Sequence, residues 1–93
     1  MNKIEVKEKD ILKQVRDYLR WKGWYVYRNH QSLGSHKGLS DLTAIHNGVT
    51  MWLEIKKSDG KQSNHQKEFQ REIEEHWGIY KVITKIEDLP KEK

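Results

Sequence analysis

The sequence predicts an α/β fold with the element order α-β-β-β-α-β. Three observations predict it. Apolar residues recur at helical spacing near the N-terminus, short runs of aromatic and β-branched residues follow, and Asn47-Gly48 joins two of those runs. An Asn-Gly pair between apolar-rich runs is the strongest short-range hairpin signal, because both residues tolerate the positive φ of a type I′ turn.

The first helix is expected from about Ile4 to Lys22. Ile4, Ile11, Val15, Tyr18 and Leu19 form its apolar stripe, and Gly23 is its C-cap. Trp24 to Arg28 reads as a strand, with Trp24 and Val26 buried in one layer and Tyr25 and Tyr27 in another. Asn29 to Gly38 is a polar loop. The hairpin occupies Ser40 to Lys57, and Asp59-Gly60 marks the next loop. Ser63 opens a second helix that runs to about Trp77, with Gly78 as C-cap. Ile79 to Thr84 is the last strand, and Ile86 to Leu89 a helical turn stopped before Pro90.

Composition bounds the function. Ninety-three residues are one domain's worth of chain, with a modest core that oligomerisation would support. The net charge of +4 favours an anionic partner. There is no cysteine, which excludes disulfides, thiolate zinc sites and a thiol nucleophile. Nothing reads as a signal peptide, and no apolar run reaches the roughly 20 residues of a membrane span. These features predict a cytoplasmic protein. Lys56, Lys57, Lys61 and Lys67 gather between residues 55 and 67 against Asp59 alone.

The candidate site follows from the turn. If Asn47 and Gly48 are its two central residues, His46 pairs with Val49, and counting back gives Leu42 with Leu53 and then Asp41 with Glu54. Two carboxylates directly opposite each other are destabilising. A divalent cation between them removes that cost. Mg²⁺ takes hard oxygen ligands, commonly one or two carboxylates completed by water and phosphate. Asp41 and Glu54 supply the carboxylates, and the Ile55 carbonyl can add a third oxygen. Lys56 lies two residues beyond Glu54 and so shares its face. A longer turn would shift the register by one residue and separate the acids.

Two further residues have two readings each. Glu8 falls within the apolar stripe, where a buried carboxylate needs a partner or a metal. Alternatively the helix starts late and Glu8 is a first-turn acid that suits the dipole. Gln66 completes a Ser63-x-x-Gln66 capping box, the reading that local sequence favours, or it serves the site. The five histidines form no convincing metal set.

Taken together, Glu8 in EKDILKQVRDYL, Gly38 and Asp41 in KGLSDLTAI, Glu54 and Lys56 in WLEIKK, and Gly60, Ser63 and Gln66 in DGKQSNHQKEF form an ordered pattern. It resembles the PD-(D/E)XK nuclease superfamily and, within it, a stand-alone VRR-NUC domain. Gly78 and IYKVIT are similar to the closing segment. Ser40 stands where the pattern usually has proline. The resemblance covers nearly the whole chain and implies a restriction-endonuclease-like core, a mixed sheet flanked by helices. It implies Mg²⁺- or Mn²⁺-dependent hydrolysis of DNA, with Asp41 and Glu54 on the metal, Lys56 on the water, and Glu8 and Gln66 in support. Small stand-alone members resemble Holliday-junction resolvases and tend to be homodimers.

The reading is a structure-selective endonuclease acting on duplex or branched DNA. Arg28, Lys37, Lys57 and Lys61 are its expected contacts to backbone phosphates, which position DNA without reading sequence. The rival is a non-catalytic DNA-binding module that keeps the fold and cuts nothing. A third reading, a structural subunit, predicts no metal affinity.

Overall fold

The computed structural model describes residues 6–91. Its elements are α1 (Glu8–Trp21), β1 (Tyr25–Arg28), β2 (Leu42–His46), β3 (Val49–Ile55), α2 (Asn64–Glu75), β4 (Ile79–Ile83) and a short 3-10 turn, Ile86–Asp88. The order is the expected one. The strands form one sheet in the order β1-β2-β3-β4. β1 and β2 pair antiparallel, as do β2 and β3, whereas β3 and β4 pair parallel. The sheet is therefore mixed, and β3 is shared between the two kinds of pairing.

The hairpin has the expected register. Asn47 and Gly48 take φ of 49° and 80°, as a type I′ turn requires. His46 faces Val49, and the ladder runs back to Leu42 opposite Leu53. It stops there, one pair short of Asp41 and Glu54.

One face of the sheet carries Val26, Ala44, Met51, Leu53 and Ile55, packed against Ile11, Val15 and Leu19 of α1. Burying such a side chain contributes roughly 1.5–3 kcal/mol, so packing rather than propensity holds α1. The opposite face carries Thr43, Trp52, Glu54 and Tyr80, and Phe69 of α2 sits edge-on to Tyr80 at 6.1 Å. α2 shelters the β4 side of this face. Tyr25, Tyr27 and Ile45, on the β1–β2 side, are exposed. The expectation that both tyrosines are buried is thus corrected. Alternation put them on one face, but no helix covers it there.

Helix ends differ from expectation in two places. α1 begins at Glu8; Ile4 and Glu5 lie outside the described residues. Its C-terminus is as expected, with Gly23 at φ 97° and bonds from Gly23 N–H to the Arg20 carbonyl and from Trp24 N–H to the Leu19 carbonyl. α2 ends at Glu75, and Trp77 rather than Gly78 takes the left-handed conformation, at φ 65°. The glycine is needed one residue later, because a Cβ on Gly78 would lie 2.6 Å from the Ile73 side chain. Among the described residues no helix is long and apolar enough to cross a membrane.

Candidate active site

The site lies where β3 runs out of the sheet. Glu54 is the last but one residue of β3 and is 2% exposed. A carboxylate this deep is costly without partners. One oxygen has them: Oε2 accepts from Gln66 Nε2 at 2.9 Å and lies 3.7 Å from Lys56 Nζ. The other, Oε1, is buried with no hydrogen-bond partner among the described residues.

Asp41 reaches the same place by a different route from the expected ladder. Its side chain turns to the end of β3, where Oδ2 accepts from the Ile55 N–H at 2.8 Å, while its carbonyl accepts from Asn29 N–H at 2.8 Å. The direct cross-strand pair is replaced by a side-chain bond to the next backbone amide. The two carboxyls still meet. Burial, then the Asp41 charge and hydrogen bonding to Asp41, push the Glu54 carboxyl up to about 8, against a lesser pull down from Lys56. A protonated Glu54 can donate to Asp41, whereas two ionised carboxylates only repel.

The environment fits a hard divalent cation. It offers two adjacent carboxylates, one with a buried oxygen lacking a donor, and a charge conflict that a cation relieves. Among the described residues no three acidic or histidine side chains cluster as a metal cage. Asp41, Glu54 and the Ile55 carbonyl are the residues that could hold the cation.

Glu8 is an exposed first-turn acid of α1, so the buried-face reading is corrected because the helix starts there rather than at Ile4. Its charge still reaches Glu54 and adds slightly to the upward shift. For Gln66 the capping box forms, and the same side chain also reaches Glu54. The Gln66 Oε1 accepts from Ser63 N–H at 2.8 Å, closing the capping box, while its Nε2 donates to Glu54. Arg28 lines a concavity with Asp41, and Lys37 lines another with Gln66. Lys57 and Lys61 are exposed on the loop between β3 and α2.

Asn29 was not foreseen as a support, and Gly38 was named only as part of the family pattern. Asn29 donates through Nδ2 to the Ser40 carbonyl at 3.0 Å and to Thr43 Oγ1 at 2.9 Å, which fixes the segment that presents Asp41. A polar residue ending a strand was its only sequence signal. Gly38 takes φ 75° and lies so close to α2 that a Cβ would meet the His65 carbonyl oxygen at 2.0 Å. Gly38→Ala is therefore expected to cost about 3 kcal/mol, from left-handed strain and overlap together. Thermal unfolding should register this as a drop of roughly 10 °C or more.

The sequence model of a family described as archaeal Holliday junction resolvase (Hjc) matches residues 3–79. The chain belongs to the archaeal Holliday junction resolvase family. A solved structure described as a VRR_NUC domain is similar, with a TM-score of 0.77 and 20% identity over 89% of each chain. At that identity the likeness establishes the fold, and the mixed sheet with its flanking helices matches the restriction-endonuclease-like fold of that domain. No curated protein sequence matches the chain. The resolvase family is one of nucleases, and its match takes in Glu8, Asp41, Glu54, Lys56 and Gln66.

Proposed function

We propose that this resolvase-family chain is a Mg²⁺- or Mn²⁺-dependent DNA endonuclease that hydrolyses phosphodiester bonds and selects its substrate by structure, a Holliday junction above all. The observation that carries the reading is the disposition of Glu54: one oxygen held by Gln66 and Lys56, the other buried without a donor beside Asp41.

Asp41, Glu54 and the Ile55 carbonyl would hold the cation. A bound Mg²⁺ or Mn²⁺ supplies Lewis acidity, lowering the pKa of water and offsetting charge on the phosphate oxygens. Lys56 orients the attacking water and balances negative charge as it develops on the phosphate. Gln66 keeps Glu54 in one rotamer, and Asn29 keeps the Asp41 segment in place. Glu8 adds negative potential at the rim. Arg28, Lys37, Lys57 and Lys61 bind backbone phosphates, which position DNA without reading its sequence. The functional unit is a single domain that acts in the cytoplasm as a homodimer. Its exposed Tyr25, Tyr27 and Ile45 support self-association, and two copies would give a branched substrate two cutting sites.

The test is incubation with linear duplex, supercoiled plasmid and four-way junction DNA in Mg²⁺, Mn²⁺ or EDTA. Cleavage is expected in either metal, greatest on the junction, and none in EDTA. Binding without cleavage of any substrate would make the chain a non-catalytic DNA-binding module instead.

A further inference from the structure

The loop between β1 and β2 does more than deliver Asp41. Its tip is a closed turn, Ser32-Leu33-Gly34-Ser35. The Ser35 N–H donates to the Ser32 carbonyl at 3.0 Å, and the Ser35 hydroxyl donates to the same carbonyl at 2.8 Å. That hydroxyl also accepts from the Ser32 N–H at 3.2 Å. Gly34 has φ 94°, the positive value a type II turn needs at its third residue. Leu33 is then the second residue, whose side chain points away from the turn. It is 106% exposed, as free as in an extended chain.

The stems of the loop are fixed. Gln31 donates its side-chain amide to the Leu39 carbonyl, Asn29 is bonded to Ser40 and Thr43, and the His36 ring sits edge-on to Phe69 at 5.2 Å. A single exposed leucine is ordinary on a protein surface. This one is distinguished by its mounting and its place. A hydrogen-bonded turn holds it at full reach, and it rims the same concavity as Lys37, His65 and Gln66, the residue bonded to Glu54.

We propose that Leu33 is a wedge that enters the DNA stack at an opened step beside the scissile phosphate. The inference rests on the nuclease reading and names its substrate class: DNA whose stacking is already broken at a nick, flap or branch. An apolar side chain pushed between base pairs costs a few kcal/mol of stacking per step. That cost keeps the side chain out of continuous duplex, whereas a branch point has already lost the stack and admits it. A leucine offers no hydrogen bond to base edges, so the resulting preference is for structure and not sequence. Arg28 and Lys37 lie on either side of this turn in the chain and hold the phosphates beside it.

The experiment places 2-aminopurine at the branch of a four-way junction and follows its fluorescence on binding in EDTA, where nothing is cut. Leu33→Ser and Leu33→Ala are compared with the parent and with Leu33→Phe. The parent and Leu33→Phe should raise the fluorescence. The two truncations should not, and their junction-over-duplex affinity ratio should fall about tenfold or more, the size of one buried leucine side chain. Duplex affinity and the thermal midpoint should stay as in the parent, since the side chain touches solvent alone in the fold. An equal fluorescence rise in Leu33→Ser, an unchanged ratio, or no rise in the parent would overturn the wedge. A change in sedimentation of Leu33→Ser without DNA would overturn it too, marking Leu33 as a contact between copies. Failure of the nuclease reading looks different: the fluorescence response stays intact while Mg²⁺ and Mn²⁺ produce no cleavage.

Discussion

Asp41→Asn should leave the chain folded and reduce metal-dependent cleavage by about a hundredfold or more, the scale of losing a charged group that stabilises the reacting phosphate. The choice of asparagine matters. The Asp41 carboxylate accepts from the Ile55 N–H at 2.8 Å, and the amide oxygen of asparagine can keep that bond. Alanine would strip a partly buried N–H of its partner, at about 1–3 kcal/mol, and confuse stability with chemistry. Asparagine removes the negative charge and replaces the other carboxylate oxygen by an NH₂ donor. It also removes one cause of the raised Glu54 pKa, so the variant should be slightly more stable than the parent near neutral pH in EDTA. Single-turnover cleavage of a four-way junction, read beside thermal unfolding, separates the two effects. Cleavage equal to the parent would show that Asp41 holds nothing the reaction needs.

Glu54→Gln should abolish cleavage and yet stabilise the metal-free protein. Burial, and after it the charge and hydrogen bonding of Asp41, raise Glu54 from an ordinary value of 4.5 to about 8. The folded state therefore binds this proton more tightly than the unfolded state does. Its contribution to stability is complete below 4.5 and is lost as the pH climbs to about 8. Between those limits the metal-free parent should lose stability with a slope of up to about 1.4 kcal/mol per pH unit. Glutamine is a neutral isostere. Its oxygen can accept from Gln66 and its NH₂ can face Asp41, so the slope should flatten and stability at pH 8 should rise. Thermal unfolding in EDTA across this range checks the sign. Adding Mg²⁺ or Mn²⁺ provides the converse, since a cation needs the ionised carboxylate. The metal-induced rise in midpoint should grow with pH in the parent and be absent in Glu54→Gln. A parent whose stability rises from pH 5 to 8 in EDTA would refute the assignment.

The placement of the candidate residues was legible where one local rule fixed geometry. Asn47-Gly48 permits a two-residue turn, the turn sets the register, and the register carries Asp41 towards Glu54 with Lys56 on the same face. What lay beyond the ladder was not legible. Asp41 leaves the strand because the Ile55 amide and Asn29 claim its side chain and its backbone, and such long-range bonds leave no periodic trace. Alternation paired Tyr25 with Tyr27 but could not tell that α2 covers β4 and stops short of β1. Glu8 was drawn into the apolar stripe by its spacing from Ile4, whereas the helix opens at Glu8 itself. Trp77 took the conformation reserved for a glycine because Gly78 was needed to clear Ile73, a steric demand invisible in the local pattern.

The Gln66 amide, spent at one end on Ser63 and at the other on Glu54, has a consequence for motion. The first turn of a helix is ordinarily where it frays, opening and closing at little cost. Here the opening of that turn would also release Glu54. The start of α2 and the end of β3 thus belong to one cooperative unit, and the centre keeps its shape for as long as the helix stays wound.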